Sequence, residues 1–83
     1  MRITLKLFAT LGRYLPDGAK ANAVAVDVPA GSTAHDVLDR FDVPREKVHL
    51  VLLNGVYLDL AARDATAIEP GDALAAWPPV AGG

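Results

Sequence analysis

Apolar and polar residues alternate from the start of the chain. Ile3, Leu5 and Leu7 are separated by Arg2, Thr4 and Lys6, the period-two pattern of a strand with one buried face. A strand is expected over residues 2–8, with Phe8 on the face away from the core. Leu11 and Leu15, four apart, suggest a short helical turn over 9–15. Pro16-Asp17-Gly18 signals a turn, and 19–23 reads as loop. Val24, Val26 and Val28 alternate with Ala25 and Asp27, giving a second strand that stops at Pro29.

The period then changes. Ala34, Val37, Leu38 and Phe41 sit at i, i+3, i+4 and i+7, one apolar stripe of a helix. Thr33 with Asp36 three residues later forms a capping-box pattern at its start. Asp42-Val43-Pro44 ends it, because proline disfavours helix at the residue before it. Residues 48–53 are a mostly apolar run, expected as a central strand. Asn54-Gly55 is a strong signal for a two-residue hairpin turn of type I′. That loop length sets the register: Leu53 opposes Val56, Leu52 opposes Tyr57, and Val51 opposes Leu58. Opposed residues share a face. Val51, Leu53, Val56 and Leu58 are therefore expected under the helix, with Leu52 and Tyr57 on the other side. Residues 60–68 read as a connection with a short helical turn, and Glu69-Pro70-Gly71-Asp72 as a turn. The last strand, 73–77, puts Leu74 and Ala76 on one face and Ala73, Ala75 and Trp77 on the other.

A hairpin, a crossover helix and further strands make a mixed sheet with one helix packed across it. With an extended tail leaving the last strand, this is an α+β fold of the β-grasp type. Four to five strands and one main helix are expected. The division is a β-grasp domain over 1–77 and a flexible Gly-Gly tail over 78–83.

Composition narrows the functional classes. The chain has 83 residues, 52% apolar and 22% charged, with net charge −2, which suits one small globular domain. The balance lacks the basic excess of a nucleic-acid binder. No apolar run approaches the ~20 residues needed to span a bilayer, and the alternating N-terminus does not read as a signal peptide. There is no cysteine. That removes disulfides, thiolate metal sites and a cysteine nucleophile, and it fits the cytoplasm.

The chemistry concentrates in Trp77-Pro78-Pro79-Val80-Ala81-Gly82-Gly83. Glycine lacks Cβ, so Gly82-Gly83 fits a slot too narrow for any side chain. The prolines favour an extended approach, and six residues at ~3.1 Å each carry the carboxylate about 18 Å beyond Trp77. A terminal carboxyl group ordinarily titrates near pH ~3.5, so at neutral pH it is ionised and nucleophilic. A carboxylate is a poor acylating group as it stands, and activation as a mixed anhydride would split one hard step into two easier ones. The chain has no Gly-x-x-x-x-Gly-Lys-Ser/Thr loop of its own. It reads as the substrate of an activating enzyme and not as a catalyst alone.

Phe8-Ala9 after the first strand, the Asn54-Gly55 hairpin, Glu69-Pro70-Gly71-Asp72 before the last strand and the Pro-Pro-Val-Ala-Gly-Gly ending resemble the ubiquitin-like sulfur-carrier family. That family comprises the small subunit of molybdopterin synthase and the thiamine sulfur carrier. The double proline after an aromatic is closer to the molybdopterin member. The resemblance implies that Gly83 carries an adenylate and then a thiocarboxylate, with Gly82 filling the slot beside it. It implies an adenylyltransferase similar to the ubiquitin-activating enzymes as one partner, with ATP used there and no cofactor bound by the chain. The other partner is the large subunit of molybdopterin synthase or another sulfur-accepting enzyme. Two alternatives share the tail chemistry as far as adenylation. One is a protein modifier joined to lysines through Gly83. The other is a sulfur carrier for thiamine or cysteine biosynthesis.

Phe8, Leu52, Tyr57 and Trp77 all fall on the sheet face away from the helix. Together with Pro78, Pro79, Val80 and Ala81 they are the expected partner-docking residues. His35 is expected at a solvated helix position and His49 in a strand, with no His-Glu-x-x-His motif to suggest a metal. Asp36, Asp39 and Asp42 are expected to cap the helix and line its solvated face.

Overall fold

The alternation at the N-terminus forms β1, Arg2–Leu7, in which Ile3, Leu5 and Leu7 are buried. The structure is a computed structural model and describes residues 1–80. After β1 comes a 3-10 helix, Ala9–Tyr14, with Leu11 turned into the core. β2, Ala23–Asp27, returns antiparallel to β1 and pairs Ile3 with Val26 and Leu5 with Val24. It begins at Ala23, a residue expected in the loop. Lys20 and Ala23 exchange both backbone hydrogen bonds around Ala21-Asn22. Ala21 and Asn22 have φ of 52° and 65°, the left-handed pair of a tight hairpin turn.

The crossover helix α1, Ala34–Arg40, starts where the capping pattern predicts. Thr33 Oγ1 accepts from the Asp36 N–H at 3.3 Å, and the Asp36 carboxylate accepts from the Thr33 N–H at 3.0 Å. Ala34, Val37 and Leu38 are buried against the sheet, and Phe41 packs on that core half-buried. The helix stops at Asp42, whose φ is 60°, and the Val43 N–H closes back on the Leu38 carbonyl. Thr33→Ala is expected to cost about 1 kcal/mol, the usual worth of such a cap. Urea unfolding checks this, as a lowered midpoint with an unchanged slope.

β3, Leu50–Leu53, turns at Asn54-Gly55 into β4, Val56–Tyr57. Both turn residues have positive φ, 51° and 80°, as type I′ requires. The register is the expected one, Leu53 with Val56 and Leu52 with Tyr57. A second helix, α2, spans Leu60–Ala65 and is capped by the Asp59 side chain, which accepts from the Ala62 N–H at 2.8 Å. β5, Ala73–Trp77, enters the middle of the sheet, parallel to β1 and antiparallel to β3. The order across the sheet is β2-β1-β5-β3-β4. This is a β-grasp, ubiquitin-like fold with a five-stranded mixed sheet. Leu74 and Ala76 of β5, both fully buried, complete the core beneath α1. No helix among the described residues is long and apolar enough to cross a membrane.

Two expectations fail for a tertiary reason. His35 is not solvated: it is 7% exposed, and its Nδ1 lies 2.7 Å from Asp64 Oδ1. The cause is α2, which packs beside α1 and covers the flank that His35 occupies. Val56, assigned to the face under the helix, is 65% exposed. β4 is a two-residue edge strand, and α1 does not extend over it. The helical aspartates have ordinary roles. Asp36 completes the cap, and Asp39 takes two hydrogen bonds from Arg45, at 3.1 and 2.7 Å. Those bonds hold the Asp39 carboxyl below its usual pKa.

Candidate functional site: the open sheet face and the tail base

β5 carries the chain from the core to the tail. Leu74 and Ala76 are fully buried on the α1 side, while Ala75, also buried, and the half-buried Trp77 take the opposite face. The last rung of the ladder is the bond from the His49 N–H to the Trp77 carbonyl, 2.8 Å long. Pro78 and Pro79 follow. Neither has an N–H, so neither can continue the sheet. Among the described residues, Pro78, Pro79 and Val80 make no backbone hydrogen bond, and Val80 is 74% exposed.

The Trp77 ring is fixed from the other side by Phe8. Their ring centroids are 4.5 Å apart and the planes differ by 8°, a stacked pair of the kind that adds to simple burial. The chain places Phe8 there by pairing its N–H with the Ala76 carbonyl at 3.1 Å, one step beyond the β1–β5 ladder. Across β3, Leu50 opposes Trp77 and Leu52 opposes Ala75, and Tyr57 opposes Leu52 on β4. The apolar side chains therefore follow one another across four strands, from Phe8 at the end of β1 to Tyr57 on β4. Phe8, Leu52 and Trp77 are half-buried and Tyr57 is exposed. Lys6, opposite Ala75 in the parallel register, and Thr4 make the neighbouring part of this face polar.

At the tail base the surface is concave. A groove of about 440 Å³ is lined by Ala9, Thr10, His49, Leu50, Trp77, Pro78, Pro79 and Val80. Four expected docking residues, Trp77 through Val80, form one wall. Phe8 backs that wall through its stack on Trp77. Leu52 and Tyr57 lie beyond the groove on the same face. Leu50, His49, Ala9 and Thr10 were not anticipated. Leu50 was legible, since it shares strand parity with Leu52. Ala9 and Thr10 are brought in by the 3-10 helix that the Leu11–Leu15 spacing suggests, but that spacing does not tell that they line a groove. Ala81, Gly82 and Gly83 lie outside the described residues.

The other end of β5 is clasped by polar contacts. The Asn54 amide donates to Asp72 Oδ1 and accepts from the Ala73 N–H, both at 2.9 Å. The Asn54 bond, with a second from the Glu69 N–H, holds the Asp72 carboxyl below its usual pKa. The strand is thus anchored by hydrogen bonds where it begins and by the aromatic stack where it ends. His49 is the one titratable side chain that lines the groove.

The sequence profile of the Mut7-C ubiquitin family matches residues 1–82. The chain belongs to that family. Comparison with curated proteins finds no match. Solved structures extend the likeness of this Mut7-C ubiquitin member. The solution structure of the HVO 2177 protein of Haloferax volcanii is 28% identical, covers 100% of this chain and 87% of its own, and superposes with a TM-score of 0.78. The crystal structure of small archaeal modifier protein 1 from H. volcanii is 31% identical over 95% of this chain and 98% of its own, with a TM-score of 0.63. A putative molybdopterin converting factor, subunit 1, from Pyrococcus furiosus is 18% identical over 95% of this chain and 98% of its own, with a TM-score of 0.65. That third likeness speaks for the fold alone. The chain is therefore a ubiquitin-like small protein similar to small archaeal modifier protein 1.

Proposed function

We propose that this protein is a sulfur carrier that works through the carboxylate of Gly83. The observation that carries the reading is the run from Trp77 to Gly83. A stacked aromatic anchors the end of β5, two prolines end the ladder, and Gly82-Gly83 follows within six residues. An adenylyltransferase of the ubiquitin-activating type docks on the open face and on the groove at the tail base. The Gly83 carboxylate attacks the α-phosphate of ATP there, giving the acyl-adenylate and releasing pyrophosphate. A sulfur donor at the hydrosulfide level then displaces AMP and leaves a thiocarboxylate. The large subunit of a molybdopterin synthase, or another sulfur-accepting enzyme, brings the acceptor to the thiocarboxylate sulfur, and water then cleaves the acyl–sulfur bond, leaving the sulfur on the acceptor and an oxygen on the restored carboxylate. Phe8, Leu52, Tyr57, Trp77, Pro78, Pro79, Val80 and Ala81 serve the docking steps. The reading requires Gly83 to end in a free carboxylate, which the intact mass of the protein purified from its host reads directly.

A second reading has specific support in the relative at 31% identity that is a modifier protein. In that reading a lysine amine displaces AMP and the product is an amide. The two readings part after adenylation, and mass separates them. The carrier is expected to exchange one oxygen for sulfur and to regain its starting mass after transfer to a pterin precursor. Conjugates to lysines of other proteins that survive denaturation, with no thiocarboxylate formed, would reject the carrier in favour of the modifier.

A further inference from the structure

Arg63 on α2 is a buried cation with unusual partners. It is 3% exposed, and among the described residues no carboxylate forms a salt bridge with it. Its guanidinium instead donates to two backbone carbonyls, Nε to Leu58 and Nη2 to His49, each at 3.0 Å. The sheet explains why these carbonyls need a donor. Leu53 pairs with Val56, and the Leu58 N–H donates to the Val51 carbonyl. One more rung of that ladder would set the Leu60 N–H against the His49 carbonyl. The chain turns away first, because Asp59 caps α2 and Leu60 is its first residue. Arg63 supplies the bond that the truncated strand withdrew. It stands in for a longer β4.

The residue held in this way is the one that holds the tail. His49 gives its carbonyl to Arg63 and its N–H to the Trp77 carbonyl, at 3.0 and 2.8 Å. Trp77 is the last residue of β5 and the next is Pro78. His49 and Trp77 also both line the groove at the tail base. We propose that Arg63 is a positioning residue for the C-terminal tail, acting through the His49 backbone to fix where Trp77 releases the chain from the sheet. The proposal rests on the reading of Gly83 as the reacting group. A buried cation satisfied by neutral carbonyls is a costly way to fill space. A strut that gives two donors in a fixed fork is a use that a planar guanidinium serves and a lysine does not.

The test uses the full chain with Arg63→Met and Arg63→Lys. Lysine keeps the charge and reaches one carbonyl at a time, so it serves if the methionine variant does not fold. Amide exchange by NMR is expected to quicken about tenfold at His49, the exchange equivalent of about 1.4 kcal/mol of local protection, while the amides of β1 keep their rates. In ATP–pyrophosphate exchange with the host's ubiquitin-activating-type adenylyltransferase, KM for the variant is expected to rise about tenfold with kcat unchanged, as for lost preorganisation in binding. A purely structural role would lower Tm and quicken exchange in every strand, leaving KM as it was. Unchanged His49 exchange, or quickened exchange with unchanged KM, overturns the proposal. In the wild-type protein the Arg63 Nε proton is expected to be protected from solvent, and rapid exchange there also overturns it. Absence of any activation of the wild-type chain would reject the proposed function instead. The exchange data then still show whether the strut exists.

Discussion

Deleting Gly83, or adding one residue after it, is expected to abolish activation while the fold stays intact. β5 ends at Trp77, and the core lies among Ile3, Leu5, Leu7, Val37, Leu38, Leu74 and their neighbours. None of these depends on the last residue, so circular dichroism and the urea midpoint should match the wild type. The chemistry is far less forgiving. One residue of extended chain moves the carboxylate by about 3.3–3.6 Å. A misplacement of ~1 Å between reacting groups already costs about 10²-fold in rate. A shift of a whole residue puts the carboxylate out of reach of the ATP α-phosphate. Intact mass after incubation with the activating enzyme, ATP and a sulfur source should show neither adenylate nor thiocarboxylate. A truncated chain that still accepted AMP or sulfur would remove Gly83 from the mechanism.

The sequence was most informative where structure is local. The alternation of Ile3, Leu5 and Leu7, the Thr33–Asp36 cap and the Asn54-Gly55 turn each involve neighbours within a few residues, and each forms as expected. The hairpin register also carried the open face with it, because opposed residues share a side. Failures came from contacts between residues far apart in the chain. His35 is buried by a helix whose Asp64 lies 29 residues away. Val56 has the parity of a core residue and no helix above it. Arg63 carries no signal in the local pattern, and the structure buries it where it donates to the Leu58 and His49 carbonyls. Strand parity states which face a side chain takes. It does not state what lies over that face.

The same limit explains the site. Phe8, Leu52, Tyr57 and Trp77 were legible as one face, but not the order in which strands lay them out. β5 is last in sequence and middle in the sheet. That insertion brings Phe8 against Trp77 and sets Leu50 across from it. The groove at the tail base results from this topology, with Ala9 and Thr10 added by a turn that follows β1.

Trp77→Ala is expected to weaken association with the activating enzyme far more than it destabilises the protein. Trp77 is half-buried on the open face, stacked on Phe8 at 4.5 Å, and forms a wall of the groove. Its removal takes the stack, worth about 0.5–1.5 kcal/mol beyond burial, and part of its packing. The fully buried side chains beneath α1 are untouched, so a loss of about 1–2 kcal/mol in unfolding free energy is expected. At an interface the same ring is the kind of aromatic anchor that costs about 2–4 kcal/mol on truncation, which is about 30- to 1,000-fold in Kd. It also stands one residue before Pro78, so its loss blurs the origin of the tail and raises the ordering cost of binding. Titration calorimetry against the adenylyltransferase, beside urea unfolding of the same variant, measures both numbers. A fall in stability larger than the fall in affinity would make Trp77 a core residue, and the open face would lose its role in docking.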